Sequence, residues 1–150
     1  MAADLLQKSL MGLVALRGRM KVPDTVGDIM ARPVVTVGPG STLMEAMRSM
    51  REHNIGAVVV VDGGKVVGIV TERDIVRFLA DNPSRCDASV SEVMTRDVVV
   101  CNPDTPILRA FIVMYERRIR RLPVVSSEGE LVGMVTMRDL LHWIVRLLKG

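Results

Sequence analysis

Gly68-Ile69-Val70-Thr71-Glu72-Arg73-Asp74 and Gly133-Met134-Val135-Thr136-Met137-Arg138-Asp139 are one seven-residue pattern written twice in a chain of 150 residues. In each copy an apolar run with the look of a strand end meets Thr-x-x-Asp. That is an N-terminal capping pattern, in which hydroxyl and carboxylate satisfy backbone amides that the first helical turn leaves unpaired. The chain is therefore expected to pass from strand to helix at Thr71 and again at Thr136. Gly68 and Gly133 stand inside the strand, where glycine is unfavourable unless backbone or ligand approaches closely.

Outward from these segments the whole chain repeats. Adding 64 to each position from Val26 to Asp62 lands on Val90 to Ser126, with Met30/Met94, Arg32/Arg96, Pro39/Pro103, Met50/Met114 and Ile55/Ile119 among the identities. One extra residue near Gly129 moves the offset to 65 for Val67–Asp74 against Val132–Asp139. So long a register with a single slip in a turn marks a duplicated unit. Each copy reads as a short strand (Val34–Val37; Val98–Cys101), then a helix, two strands and a last helix. Thr42 with Glu45 forms a capping box for the first helix, and Thr105 followed by Pro106 predicts a cap and first helical position in the second copy. Asp62-Gly63-Gly64 is a hairpin signal between Ala57–Val61 and Val66–Val70. Leu122–Val125 and Leu131–Val135 are the matching strands. The expected fold is α/β (α+β), β-α-β-β-α twice, with the repeats packed through their sheets about a pseudo-two-fold axis. Residues 1–24 supply an N-terminal helix and lead-in, 25–81 the first domain, 82–88 a linker and 89–150 the second domain.

Composition sets the class. Nearly half the residues are apolar, yet only 3% are aromatic, so Val, Leu, Ile and Met must fill the core. The net charge of +3 is a weak argument for nucleic acid. Scarce aromatics also leave little for stacking single-stranded bases. Cys86 and Cys101 have neither a CxxC spacing nor nearby histidines, which predicts free thiols, no metal site and a cytoplasmic protein. Leu10–Leu16 is too short to span a bilayer and lacks the flanks of a signal peptide. Asp4 to Arg17 is instead expected to form a packing helix. It is apolar on more than one face, as is Leu140-Leu141-His142-Trp143-Ile144-Val145, and this excess of apolar surface predicts a homodimer.

The openings Val26-Gly27-Asp28-Ile29-Met30 and Val90-Ser91-Glu92-Val93-Met94, the two G-h-h-T-x-x-D segments and Arg121-Leu122-Pro123-Val124-Val125 together resemble the CBS-domain family in its tandem form, the Bateman module. The resemblance covers residues 25 to 145. It implies two clefts between the repeats that take adenosine nucleotides or S-adenosylmethionine, with Thr and Asp of each T-x-x-D meeting the ribose. By that resemblance Thr71, Arg73 and Asp74 share a cleft with Arg96–Val98 and Arg120, Arg121 and Leu122. Thr136, Arg138 and Asp139 share the other with Arg32, Val34, Gly56, Ala57 and Val58. Without the family, T-x-x-D reads equally well as a helix cap or as a polyol acceptor.

The copies differ where Arg117, Arg118, Arg120 and Arg121 replace His53, Asn54, Gly56 and Ala57. Arg117 and Arg118 read as a solvated helix end. Arg120 and Arg121 read as phosphate contacts, because guanidinium pairs bidentately with phosphate oxygens. The expectation is a regulatory sensor of AMP, ADP or ATP that requires no cofactor and acts through self-assembly or through an enzyme or transporter in trans. S-adenosylmethionine, methylthioadenosine and NADH are the alternative ligands. A structural oligomer with empty clefts and a nucleic-acid binder using Arg117–Arg121 are the competing classes. No GxSxG, HExxH or Walker loop is present, and His53 and His142 lack a nucleophile or carboxylate partner, so no catalysis is expected.

Overall fold

The computed structural model describes residues 1–16 and 25–149. They form a mixed α/β fold with five α-helices, in the order α1 (Ala2–Leu16), β1 (Thr36–Val37), α2 (Leu43–His53), β2 (Ala57–Asp62), β3 (Lys65–Thr71), α3 (Glu72–Asp81), α4 (Ile107–Arg117), β4 (Arg121–Val125), β5 (Leu131–Thr136) and α5 (Met137–Lys149). Short 3-10 turns at Val26–Asp28 and Val90–Glu92 open the two repeats. No helix among the described residues is long and apolar enough to cross a membrane.

The chain gathers into two compact units that interleave the repeats. One comprises 1–32, 100–127 and 132–150, and the other 33–99 with 128–131. Each repeat's lead-in therefore belongs with the body of the other repeat. Backbone hydrogen bonds make the exchange reciprocal. In the first unit Val26 N donates to Thr105 O at 2.8 Å and Gly27 N to Pro103 O at 2.8 Å. In the second, the repeat-equivalent Val90 N donates to Ser41 O at 2.7 Å and Ser91 N to Pro39 O at 3.3 Å. Further along, Ala31 exchanges hydrogen bonds with Met134 in the first unit, as Thr95 does with Ile69 in the second.

In the second unit β2 is the centre of a three-stranded sheet, parallel to β1 and antiparallel to β3. The hairpin closes on Gly63 and Gly64 at φ 58° and 82°. Two consecutive positive φ values suit the tight turn that follows strand twist, and glycine adopts them without steric cost. Val58, Val59 and Val60 are all fully buried, as a β-branched run in a strand covered on both faces requires. Leu43, Ala46, Met50, Val70, Ile75, Ala88, Val90 and Met94 complete this core. In the first unit β4 and β5 pair, and Ile107, Met114, Leu122, Val135 and Leu140 are among the fully buried side chains around them.

Several expectations need correction. The first strands are shorter than predicted: Val34–Val37 reduces to Thr36–Val37, and Val98–Cys101 to a single parallel bridge from Cys101 to Val124. Val98 N turns back to Arg96 O at 3.0 Å, a local bend that no extended strand accommodates. Thr105 does not cap α4. Its hydroxyl accepts from Asn102 N at 3.0 Å, and Pro106 takes the cap position with no side-chain bond. The last helix hides more of its apolar surface than predicted, because Leu140, Trp143 and Leu147 are buried. Leu141, Val145 and Leu148 remain about half exposed. Helix α1 packs against α4 and leaves Leu5 and Met11 open, while Arg17, its predicted end, lies outside the described residues.

Candidate ligand-binding site

Both Thr-x-x-Asp segments form complete capping boxes. Thr71 N donates to Asp74 Oδ2 at 2.9 Å while Asp74 N donates to Thr71 Oγ1 at 3.2 Å. The second copy repeats this at 2.8 and 3.2 Å between Thr136 and Asp139. The capping role is thus real in both. It engages only Oδ2 of each aspartate. Oδ1 of Asp74 and of Asp139 has no hydrogen-bond partner among the described residues, and both side chains are half-buried. A carboxylate oxygen held by a rigid helix start, with its lone pairs unused, is a fixed acceptor for hydroxyl groups.

The interleaving decides what stands beside each box. Glu72 N donates to Gly56 O at 2.9 Å, so Gly56 and Ala57 abut the start of α3. Thr95, paired with Ile69, brings Arg96 and Val98 to the same end of β3. Arg96 turns back on its own lead-in, with Nη2 donating to Ser91 O at 3.0 Å. Val34 is half-buried and Arg73 exposed in the same unit. The other unit repeats the pattern. Met137 N donates to Arg120 O at 2.7 Å, placing Arg120 at the start of α5. Ala31, paired with Met134, brings Arg32 there, exposed like Arg138. Arg120 is exposed; Arg121 is half-buried and has an interaction within the protein. Val58 and Leu122 are fully buried and Ala57 nearly so, and whatever these three offer a ligand comes from their main chain. Within the units, then, Thr71, Asp74, Arg96, Val98 and Gly56 come together, as do Thr136, Asp139, Arg32 and Arg120. Gly56 and Val34 thus share a unit with the first box and Arg120 with the second, where the expected grouping had them exchanged.

An open depression of about 580 Å³ lies beside the second box, lined by Met114, Tyr115, Glu116, Arg118, Ile119, Arg120 and Met137. Sequence reasoning found Arg120 but not the others. Arg118 carried a signal, because it is the repeat counterpart of Asn54. Both residues end their helices in the left-handed region, at φ 55° and 52°. Asparagine is at ease there; arginine is not.

The in-strand glycines have a definite explanation. A β-carbon on Gly68 would lie 2.8 Å from Met94 Cγ, and one on Gly133 would lie 2.9 Å from Met30 Cγ. The close approach is by the methionine that ends the other repeat's lead-in. Sequence reasoning paired Met30 with Met94 and Gly68 with Gly133 as repeats, but missed that each methionine packs on a glycine. Burial raises the Cys101 thiol to about 11, so at neutral pH it is protonated and no nucleophile. No cluster of metal-ligating side chains occurs among the described residues.

The family model for the CBS domain matches residues 26–81 and 90–146. A 17.7 kDa protein of Acidianus ambivalens is 40% identical over 116 residues, covering 77% of this chain and 70% of its own length. An inosine-5'-monophosphate dehydrogenase of Korarchaeum cryptofilum is 41% identical over 111 residues, 74% of this chain, but this chain spans only 22% of that enzyme. Among solved structures, the CBS domain pair of protein MJ0100 in complex with 5'-methylthioadenosine and S-adenosyl-L-methionine superposes with a TM-score of 0.73 at 36% identity, over 85% of this chain and 98% of that one. With both repeats matched by the family model and the fold shared with a solved domain pair, this chain belongs to the CBS-domain family as a tandem pair.

Proposed function

We propose that this CBS pair is a regulatory module that senses an adenosine-type ligand and performs no catalysis of its own. The observation that carries the reading is the pair of capping boxes, each presenting one uncommitted aspartate oxygen, Asp74 Oδ1 and Asp139 Oδ1, at a helix start. A ribose offers two adjacent hydroxyls to such an acceptor. Each charge-assisted hydrogen bond is worth about 1.5–3 kcal/mol. AMP, ADP and ATP suit the Arg120 site best, because its guanidinium is exposed at the rim of the depression. S-adenosylmethionine and methylthioadenosine are the second reading, favoured by the ligands of the MJ0100 pair. They match the Gly56 site, which lacks a cation at the equivalent position. The signal passes on by self-assembly through the exposed Leu141, Val145 and Leu148 of α5, or to an enzyme or transporter in trans.

A thermal-shift panel of AMP, ADP, ATP, S-adenosylmethionine, methylthioadenosine and NADH tests this. A ligand at 100 times its Kd adds about 2.7 kcal/mol, several degrees for a chain of this size. A flat response to all six, with no nucleotide co-purifying, would leave a structural oligomer or a nucleic-acid binder using Arg117–Arg121 as the remaining readings.

A further inference from the structure

The geometry points to an output device built into only one unit: occupancy of the Thr136–Asp139 site is transmitted to helix α1, and occupancy of the Thr71–Asp74 site is not. The inference rests on the ligand-sensing reading and goes beyond it by naming the element that responds.

Helix α1 lies outside the matched CBS regions, which begin at residue 26. It belongs to the unit containing the second box. Two features join it to that box. The first is the lead-in at 25–32, which belongs to the same unit as α1. It is fastened at three points: Val26 and Gly27 to the turn at Pro103–Thr105, Met30 against Gly133, and Ala31 to Met134 by two hydrogen bonds of 2.9 and 3.1 Å. Met134 is two residues before Thr136, so β5, the box and the lead-in form one continuous piece. The second feature is α4. Helix α1 packs against it, and the last turn of α4 supplies Met114, Tyr115 and Glu116 to the wall of the depression. A ligand seated there contacts α4, on which α1 packs, and Met137, which directly follows the strand bonded to the lead-in. Packed elements of this kind shift as units rather than deforming smoothly.

The other unit has the same latch but a different tether. Its lead-in, Val90–Met94, is preceded by the linker, and the linker is tied down. Leu43 N donates to Ala88 O and Met44 N to Cys86 O, while Arg85 pairs with Glu92 and stacks over Phe78. A ligand at Thr71–Asp74 thus pulls on a segment already bonded within its own unit. The duplicated architecture yields one coupled site and one insulated site.

Amide hydrogen exchange along residues 2–16 tests the inference on the full chain, with AMP and S-adenosylmethionine as probes and the thermal shift recorded in parallel. Saturating ligand is expected to change the exchange rate of α1 amides at least several-fold in wild type and in Asp74→Asn, and to leave it unchanged in Asp139→Asn. The asparagine keeps an acceptor for the cap, so both variants retain their helix starts. A ligand-free arm is independent of binding. Gly133→Ala, which drives a β-carbon into Met30, is expected to speed exchange in α1, whereas Gly68→Ala leaves α1 as in wild type. A normal thermal shift with unchanged α1 exchange overturns the inference and leaves the sensing reading standing. Equal α1 responses in the two asparagine variants, or in the two alanine variants, also overturn it. No thermal shift with either probe or with the other four ligands of the panel removes both.

Discussion

Met94 packs on the α-carbon of Gly68, so closely that a β-carbon there would stand 2.8 Å from its Cγ. The contact joins the lead-in of one repeat to the strand of the other, and Met30 on Gly133 is its counterpart. Gly68→Ala is therefore expected to destabilise the protein by about 1–3 kcal/mol, the usual range for overpacking a filled core. Shortening the partner should return part of the loss: Gly68→Ala/Met94→Ala is expected to be less destabilised than the sum of its single substitutions, as contacting residues are not additive. Urea denaturation of the four proteins measures the coupling, and strict additivity would show that glycine and methionine do not share the space.

Arg118 ends α4 in the left-handed region at φ 55°, where its repeat counterpart is Asn54 at φ 52°. An arginine gains nothing from that conformation. Arg118→Gly relieves left-handed strain of about 1–2 kcal/mol against an added unfolded-chain freedom of about 0.5–1 kcal/mol, so it is expected to raise stability by the small difference, and Arg118→Asn by less. The same change at position 54 should be close to neutral, since asparagine already tolerates the backbone. Arg118 lines the depression, so a stabilised variant that also binds nucleotide less tightly would mean that stability is given up for ligand contact at this residue.

The pH dependence of stability has a basic-side component with a clear sign. Burial lifts the Cys101 thiol from 9.0 to about 11. The folded state thus holds its proton more firmly than the unfolded chain does. Its contribution is fully present below pH 9 and is lost as pH rises from about 9 to 11, reaching at most about 2–3 kcal/mol. Cys101→Ala should remove this component, so the difference in stability between wild type and variant should shrink across that window. A difference that stays constant from pH 7 to 11 would mean the thiol titrates alike in both states.

What the sequence disclosed was mostly local chemistry. Thr42 with Glu45 and Thr71 with Asp74 are three residues apart, and both boxes form as their spacing dictates. The Gly63-Gly64 turn is equally local. Thr105 fooled the same reasoning because a second local acceptor role was open to its hydroxyl: Asn102 N lies as near in sequence as an α4 amide does. The methionine–glycine latches and the exchange of lead-ins were illegible for a different reason. They join residues 26 to 103 positions apart, and a repeat shows that two segments are alike without showing which copy pairs with which. The depression at the end of α4 was half visible, since the change from Gly56 to Arg120 broke the symmetry, but Tyr115, Glu116 and Met137 had no pattern to mark them.

Leu141, Val145 and Leu148 follow one another at helical spacing on α5 and stay about half exposed, while Leu140, Trp143 and Leu147 on the same helix are buried. An exposed apolar stripe of this kind is the surface by which helices self-associate. Light scattering at micromolar concentration is expected to report a dimer, and Leu141→Glu/Val145→Glu a monomer with nearly unchanged stability. A dimer that survives the double substitution would place the seam elsewhere, for instance at the exposed Leu5 and Met11 of α1.

Arg120 is where the duplicated site breaks its symmetry in a way that selects ligand chemistry. Its carbonyl accepts from Met137 N and fixes the residue at the start of α5, while its exposed side chain borders the depression. Gly56 holds the equivalent bond to Glu72 N and offers no charge. An adenosine compound with a phosphate is therefore expected to prefer the Arg120 site. The partly exposed setting moderates the gain: a charge-assisted hydrogen bond is worth about 1.5–3 kcal/mol, or roughly 10- to 100-fold in affinity, and added salt should reduce it. Calorimetry with AMP and with adenosine separates the terms. In wild type AMP should bind more tightly by that factor, and Arg120→Ala should lose most of the advantage while adenosine affinity hardly moves. Asp139→Ala should do the opposite, weakening both ligands together through the ribose. If AMP and adenosine bind wild type equally, the guanidinium faces solvent and the phosphate preference is wrong. If instead only thioether adenosyl compounds bind, the ribose acceptors keep their role and Arg120 has none in selecting the ligand.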